Sequence, residues 1–154
     1  NDNNEARDFA VLASSTKLLR NIDILYRQRT NEQTEITFIS NETLERLKQI
    51  HQVTDEKAAN WKFNRDFEAL ERTRKQLFTT DKRCLKISTI QSFKGWESPS
   101  VIVILENDIV LHNTTFRPMS PQTIYTAITR ARENMYIINI GNDTYHNFFY
   151  NQTL

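Results

Sequence analysis

Apolar residues fall along this chain in short runs that alternate with amphipathic stretches. Phe9 to Ala13 is apolar and bounded by polar residues, the pattern of a buried strand. Ser14 or Ser15 can cap the helix that follows, in which Leu18, Leu19, Ile22 and Leu25 form one stripe. Glu35 to Ile39 is rich in β-branched and aromatic residues and predicts a second strand. Asn41 reads as the cap of a helix running to about His51, with Leu44, Leu47 and Ile50 on one side. Residues 54 to 78 lack Gly and Pro and predict a long helix with a seam of Trp61, Phe63, Phe67, Leu70, Leu77 and Phe78. Leu85 to Ile90 predicts a third strand. Ser100 to Glu106 is nearly continuous in apolar residues, as in a parallel strand buried on both faces. Residues 107 to 119 predict a longer loop and Pro121 to about Glu133 a helix. Met135 to Ile140 predicts a last strand and Asp143 to Tyr150 a short aromatic helix. Strands alternate with helices throughout, which predicts an α/β layered fold on a mostly parallel sheet.

Composition narrows the class. A length of 154 residues suits one domain with a real core. With 38% hydrophobic and 25% charged residues the chain is globular, so flexibility is expected only for the polar segment 1–8 ahead of a domain over 9–154. A net charge of +1 excludes coating of nucleic acid by bulk charge, and any such contact comes from a local patch or from another domain. Cys84 is the one cysteine, which excludes an internal disulfide and a cysteine zinc site and fits a reducing, cytoplasmic setting. His51, His112 and His146 are scattered without metal-ligand spacing, so no metal site is expected. No apolar run approaches the ~18 residues of a membrane span, and no membrane partner is expected. The chain begins with Asn and reads as a piece of a longer protein or as a processed form. Its two glycines, Gly95 and Gly141, cannot build a G-x-x-x-x-G-K-[ST] phosphate cradle.

Two stretches carry candidate chemistry. In the helix opened by Ser120 and Pro121, Ile124, Ala127, Ile128 and Ala131 repeat at core spacing. Gln122, Thr126 and Arg130 share a polar face, so Arg130 can point outside its own domain. A guanidinium offers planar, forked, permanently charged donors that suit a phosphate. Taken alone, Arg130 and Arg132 also fit ordinary surface arginines. Upstream, Lys94-Gly95-Trp96-Glu97 follows a strand, where a glycine admits close backbone approach and Glu97 can accept from a ribose hydroxyl. Ser88, Thr89, Gln91 and Ser92 supply small polar groups for a phosphate backbone. A turn glycine between solvated charges is the plainer reading. Trp96 fits either a core anchor or a base-stacking surface. The basic cluster Arg72, Arg74, Lys75, Lys82 and Arg83 fits a solvated helix end or a nucleic-acid backbone contact. Glu42, Glu45, Glu68 and Glu71 fit solvated helix faces.

Together the two stretches resemble signature motifs of superfamily 1 helicases of the UvrD/PcrA/Rep kind, "T-x-H-x-x-K-G-L-E" and then "Y-V-A-x-T-R-A". Here they read Thr89-Ile-Gln-Ser-Phe-Lys-Gly-Trp-Glu97 and Tyr125-Thr-Ala-Ile-Thr-Arg-Ala131. Asp8 to Arg20 resembles the strand–helix unit that opens the second motor domain in that family. The resemblance runs from about residue 8 to 141 and is weak between 41 and 84. It implies a RecA-like three-layer fold with a mostly parallel central sheet and helices on both faces. It implies the C-terminal motor domain of an ATP-dependent DNA helicase moving 3′-to-5′ on single-stranded DNA. ATP with Mg²⁺ would be held mainly by an N-terminal RecA-like domain of the same polypeptide, without which this domain is inactive. By this resemblance Arg130 is the catalytic arginine finger, while Gly95, Glu97 and Tyr125 lie at the nucleotide. Thr89, Gln91, Ser92 and Lys94 would face the single strand. Gln91 stands where the family usually has a histidine, and Trp96 where it has leucine. Gln91 also leaves room for a rival reading, a non-catalytic module that binds nucleic acid or protein.

Overall fold

Alternation along β1 (Phe9–Ala13) sorts its side chains into two cores. Ala10 and Leu12 face one, Val11 and Ala13 the other. β4 (Ser98–Glu106) splits the same way, with Val101, Val103 and Leu105 on the first side and Ile104 on the second. This two-sided burial is why both strands read as apolar runs. The computed structural model describes residues 5–54, 60–106 and 119–152. β1 and β4 join β2 (Thr34–Ile36), β3 (Leu85–Thr89) and β5 (Ala131–Ile140) in one five-stranded sheet of order β2-β3-β1-β4-β5. Every pairing is parallel. All carboxyl ends therefore lie along one edge and all amino ends along the other.

Helices cover both faces. On one, α1 (Thr16–Thr30) lays Leu18, Leu19, Ile22 and Tyr26 against Val11, Ala13, Ile36 and Ile87. On the other, α4 (Pro121–Ile128) and α5 (Asp143–Gln152) bring Ile124, Ala127, Tyr145 and Phe149 onto Ala10, Leu12, Val101 and Val103. The β3–β4 connection adds Ile90 and Phe93 to this second core. α2 (Asn41–His51) and α3 (Trp61–Leu77) form a third cluster around Ile39, Leu44, Leu47 and Phe63. The fold is the α/β RecA-like arrangement, with a sheet that is wholly parallel.

Several elements depart from expectation. β2 stops at Ile36, and Thr37, Phe38 and Ile39 stay buried outside the ladder, with the Thr37 and Ser88 hydroxyls 2.8 Å apart. Ser15 caps α1 by accepting from Leu18 N (3.2 Å), and Ser40, not Asn41, caps α2 by accepting from Thr43 N (3.3 Å). Leu25 and Ile50 extend their stripes into solvent, and in the seam of α3 only Phe63 is buried. The helix expected to reach Glu133 ends at Ile128, and β5 begins at Ala131. Arg132, Glu133 and Asn134 are exposed strand residues on β5, the outermost strand among the described residues. β4 starts earlier than expected, at Ser98, and its register shifts between Ser98 and Ser100 around Pro99, which has no N–H for the ladder. Ala6–Asp8 make a 3₁₀ turn closed by Asp8 N donating to Glu5 O at 2.8 Å. Most of the loop expected over 107–119 lies outside the described residues, as do His112 and residues 1–4 and 55–59. Among the described residues no helix is long and apolar enough to cross a membrane.

Candidate nucleotide and nucleic-acid site

The two chemistry-bearing stretches meet at the amino edge of the sheet. Ala131 pairs with Ser98 in the register, and Ser98 N donates to Arg130 O at 3.1 Å. Arg130 follows the end of α4 in a turn held by Thr129 N to Tyr125 O and Arg130 N to Ala127 O, both 3.1 Å. Its guanidinium folds back on the helix end. Nε donates to Thr126 O (3.1 Å), Nη2 to Thr129 Oγ1 (3.0 Å) and Nη1 to Trp96 O (3.5 Å). Carbonyls at a helix carboxyl end carry partial negative charge, so a cation rests there favourably. A guanidinium has five N–H donors, so this half-buried group keeps capacity for a further acceptor. Gly95 and Glu97 flank the Trp96 carbonyl and are exposed. Gly95 has φ +94°, a conformation side chains resist, and a Cβ there would meet nothing within 4 Å. Arg130 thus touches the turn that carries Gly95 and Glu97. The expectation that Lys94 to Glu97 sit at a strand's carboxyl end is corrected, because the connection has already crossed the sheet to the start of β4.

The carboxyl edge holds a second feature. A cleft of about 480 Å³ is lined by Ser14, Thr89, Ile90, Gln91, Met119, Ser120 and Thr123. Here the rule that ligands gather at carboxyl ends applies. Gln91 is exposed on the cleft wall. Thr89 Oγ1 donates to Ser92 Oγ (2.9 Å) and accepts from Ser92 N (3.2 Å), which winds 89–92 into a tight turn. Lys94 is exposed on the same connection, one turn nearer the amino edge. Ser88 is buried and donates to Thr89 O at 2.9 Å, so it supports the strand and not a ligand.

Other expected residues separate by role. Trp96 packs edge-on against Phe78 (5.6 Å, 78°) beside Phe93, which makes it a core anchor. Tyr125 is 70% exposed, and its link to Arg130 runs through its backbone carbonyl. The basic cluster divides. Lys82 pairs with Glu35 (2.6 Å) and Lys75 with Glu71 (3.7 Å). Glu42 and Glu45 pair with Arg46 and Lys48 on α2. Burial pushes the Cys84 thiol up, away from the thiolate form a nucleophile needs. Among the described residues no group of three or more His, Cys, Asp or Glu is placed to hold a metal ion.

Sequence reasoning missed Glu106. This buried carboxylate ends β4 and accepts from Ser14 N (2.8 Å) and Ser15 N (2.9 Å) at the start of α1. It occupies the anion-binding corner between β1 and α1 and fixes one wall of the cleft. Its only signal in the sequence is a carboxylate closing an apolar strand.

The wholly parallel sheet with helices on both faces is a RecA-like fold. The family model of the viral superfamily 1 RNA helicase core domain matches residues 12–139 of the 154. The chain belongs to that family, which gives it a helicase-type function with nucleoside triphosphate, metal and nucleic acid in general. No curated protein matches the chain.

Proposed function

We propose that this chain is the C-terminal motor domain of an ATP-dependent superfamily 1 helicase of the UvrD/PcrA/Rep kind. The observation that carries this reading is the contact of Arg130 with the Gly95–Glu97 turn at the amino edge of the sheet. In this reading Arg130 leaves the end of α4 to meet the γ-phosphate, and Glu97 accepts from the ribose. Gly95 lets the backbone approach, and the Tyr125 carbonyl holds the turn. The residues fit one side of a nucleotide. With two glycines the chain cannot cradle the phosphates, so an N-terminal RecA-like domain of the same polypeptide would hold ATP and Mg²⁺. The cleft beside Thr89, Gln91, Ser92 and Lys94 forms part of a track for single-stranded DNA.

The test uses the polypeptide that joins this domain to its N-terminal partner. Arg130→Ala should lower ATP turnover by ~10³-fold or more while nucleotide binding persists, as for arginine fingers generally. The 154-residue chain alone should not hydrolyse ATP. Steady hydrolysis by the isolated chain, or near-normal turnover in Arg130→Ala, would contradict the reading. The matched family is described by its RNA helicases, which favours single-stranded RNA as a second substrate. Stimulation of turnover by RNA and not DNA would replace the DNA assignment.

A further inference from the structure

Trp61 opens α3 and is 66% exposed. Two cations lie over this ring. Lys62 Nζ is 5.7 Å from the centroid and the Arg65 guanidinium carbon 5.5 Å. The base of the platform is rigid. Asn60 caps α3 by accepting from Lys62 N (3.1 Å) and Phe63 N (3.2 Å). Phe63 is fully buried among Ile39, Leu44 and Leu47, with His51 edge-on against it. Arg65 donates from Nε to Asp66 Oδ1 at 3.0 Å, and Asp66 is held in turn by His51 at 3.1 Å, so the guanidinium is oriented before any ligand arrives.

Position selects the occupant. Ile39 follows the carboxyl end of β2, and Thr37 N donates to Ile87 O near the end of β3. The start of α3 therefore stands at the same edge of the sheet as Thr89 and Gln91. A strand leaving that cleft has bases with π faces and phosphates with negative charge. An exposed indole with two adjacent cations matches both. We propose that Trp61, Lys62 and Arg65 form a base-stacking platform that binds a nucleotide of the single strand beyond the Thr89–Gln91 cleft. The platform rests on the helicase reading for the strand itself. It differs from the motif-borne track, because it lies where the helicase resemblance is weak.

The experiment is titration of the intact motor into fluorescein-labelled oligo-dT and oligo-U, read by anisotropy. Trp61→Ala should weaken binding about tenfold, within the range of one lost base stack, and Trp61→Phe should restore most of it. Lys62→Gln should lower the slope of log affinity against log salt by about 0.7, the share of one phosphate on a single strand. Binding should quench tryptophan fluorescence in the wild type and much less in Trp61→Phe. Wild-type affinity in Trp61→Ala would overturn the platform alone and leave Trp61 free for a protein partner. Failure of the wild type to bind either oligonucleotide would overturn the platform together with the nucleic-acid track. The exposed position of Trp61 keeps these variants folded, which a melting curve checks.

Discussion

Single side chains decide what each edge of the sheet can do. Glu106 is the clearest case. Its carboxylate takes two amides that start α1, so the corner that in many α/β proteins holds a ligand phosphate is filled by the chain itself. Glu106→Ala leaves two amides without their acceptor, and unfolding in urea should show a loss of about 2 kcal/mol. Glu106→Gln keeps one neutral acceptor and should lose about half as much. Equal stability of Glu106→Ala and wild type would mean that solvent serves these amides as well. Arg130 makes the complementary point. It is held by Thr126, Thr129 and Trp96 in this structure, so reaching a phosphate exchanges these acceptors for a charged one. A phosphate adds an opposite charge and a bidentate fit to the guanidinium fork that neutral oxygens do not offer, so the exchange favours the phosphate.

At the scale of elements, α4 carries most of the load with the least length. It has eight residues, too few to stand without help, and a strong start compensates. Ser120 Oγ accepts from Thr123 N at 3.2 Å, and Pro121 follows at the first helical position. Ser120→Ala should cost about 1 kcal/mol, read as a shift in the urea midpoint, and should leave the sheet intact. An unchanged midpoint would mean that packing of Ile124 and Ala127 alone holds the helix. The start of α4 was legible in the sequence, because Ser-Pro is a strong local signal. Its end was not. Ala131 continues the helical spacing of Ile124 and Ala127, and it does pack on the same core, but from the first position of β5. One residue satisfies both patterns, so periodicity placed it correctly and gave it the wrong element. β1 and β4 were legible because both faces are buried. The exposure of Leu25, Ile50 and Leu77 was not, since an apolar stripe does not say how far its partner extends. Motif order singled out Arg130 and Glu97 as candidates, whereas their position at the amino edge depended on a connection crossing the sheet.

The whole molecule places its two candidate sites at opposite edges of one rigid sheet. Two segments join them, α4, which leads from Ser120 in the cleft to Arg130, and the β3–β4 connection. The second is the more direct. It leaves β3 at Thr89, tightens at Ser92, packs Phe93 and Trp96 into the core, and enters β4 at Ser98 beside Arg130. Phe93 is fully buried, and Trp96 lies against Phe78, so the segment has little freedom to absorb a displacement at either end. In the proposed function, a strand held at Gln91 would therefore act through this segment on the Trp96 carbonyl that holds the guanidinium. Coupling of this kind is a free energy shared between two sites, and it is tested by changing one and reading the other. In the intact motor, Gln91→Ala should reduce the nucleic-acid-stimulated part of ATP turnover several-fold and leave basal turnover near wild type. Arg130→Ala should lower both parts. The measurement is turnover with and without a saturating single-stranded oligonucleotide. If Gln91→Ala lowers basal and stimulated rates by the same factor, Gln91 serves the fold and not the strand. If it lowers neither, the β3–β4 connection carries no signal between the two edges.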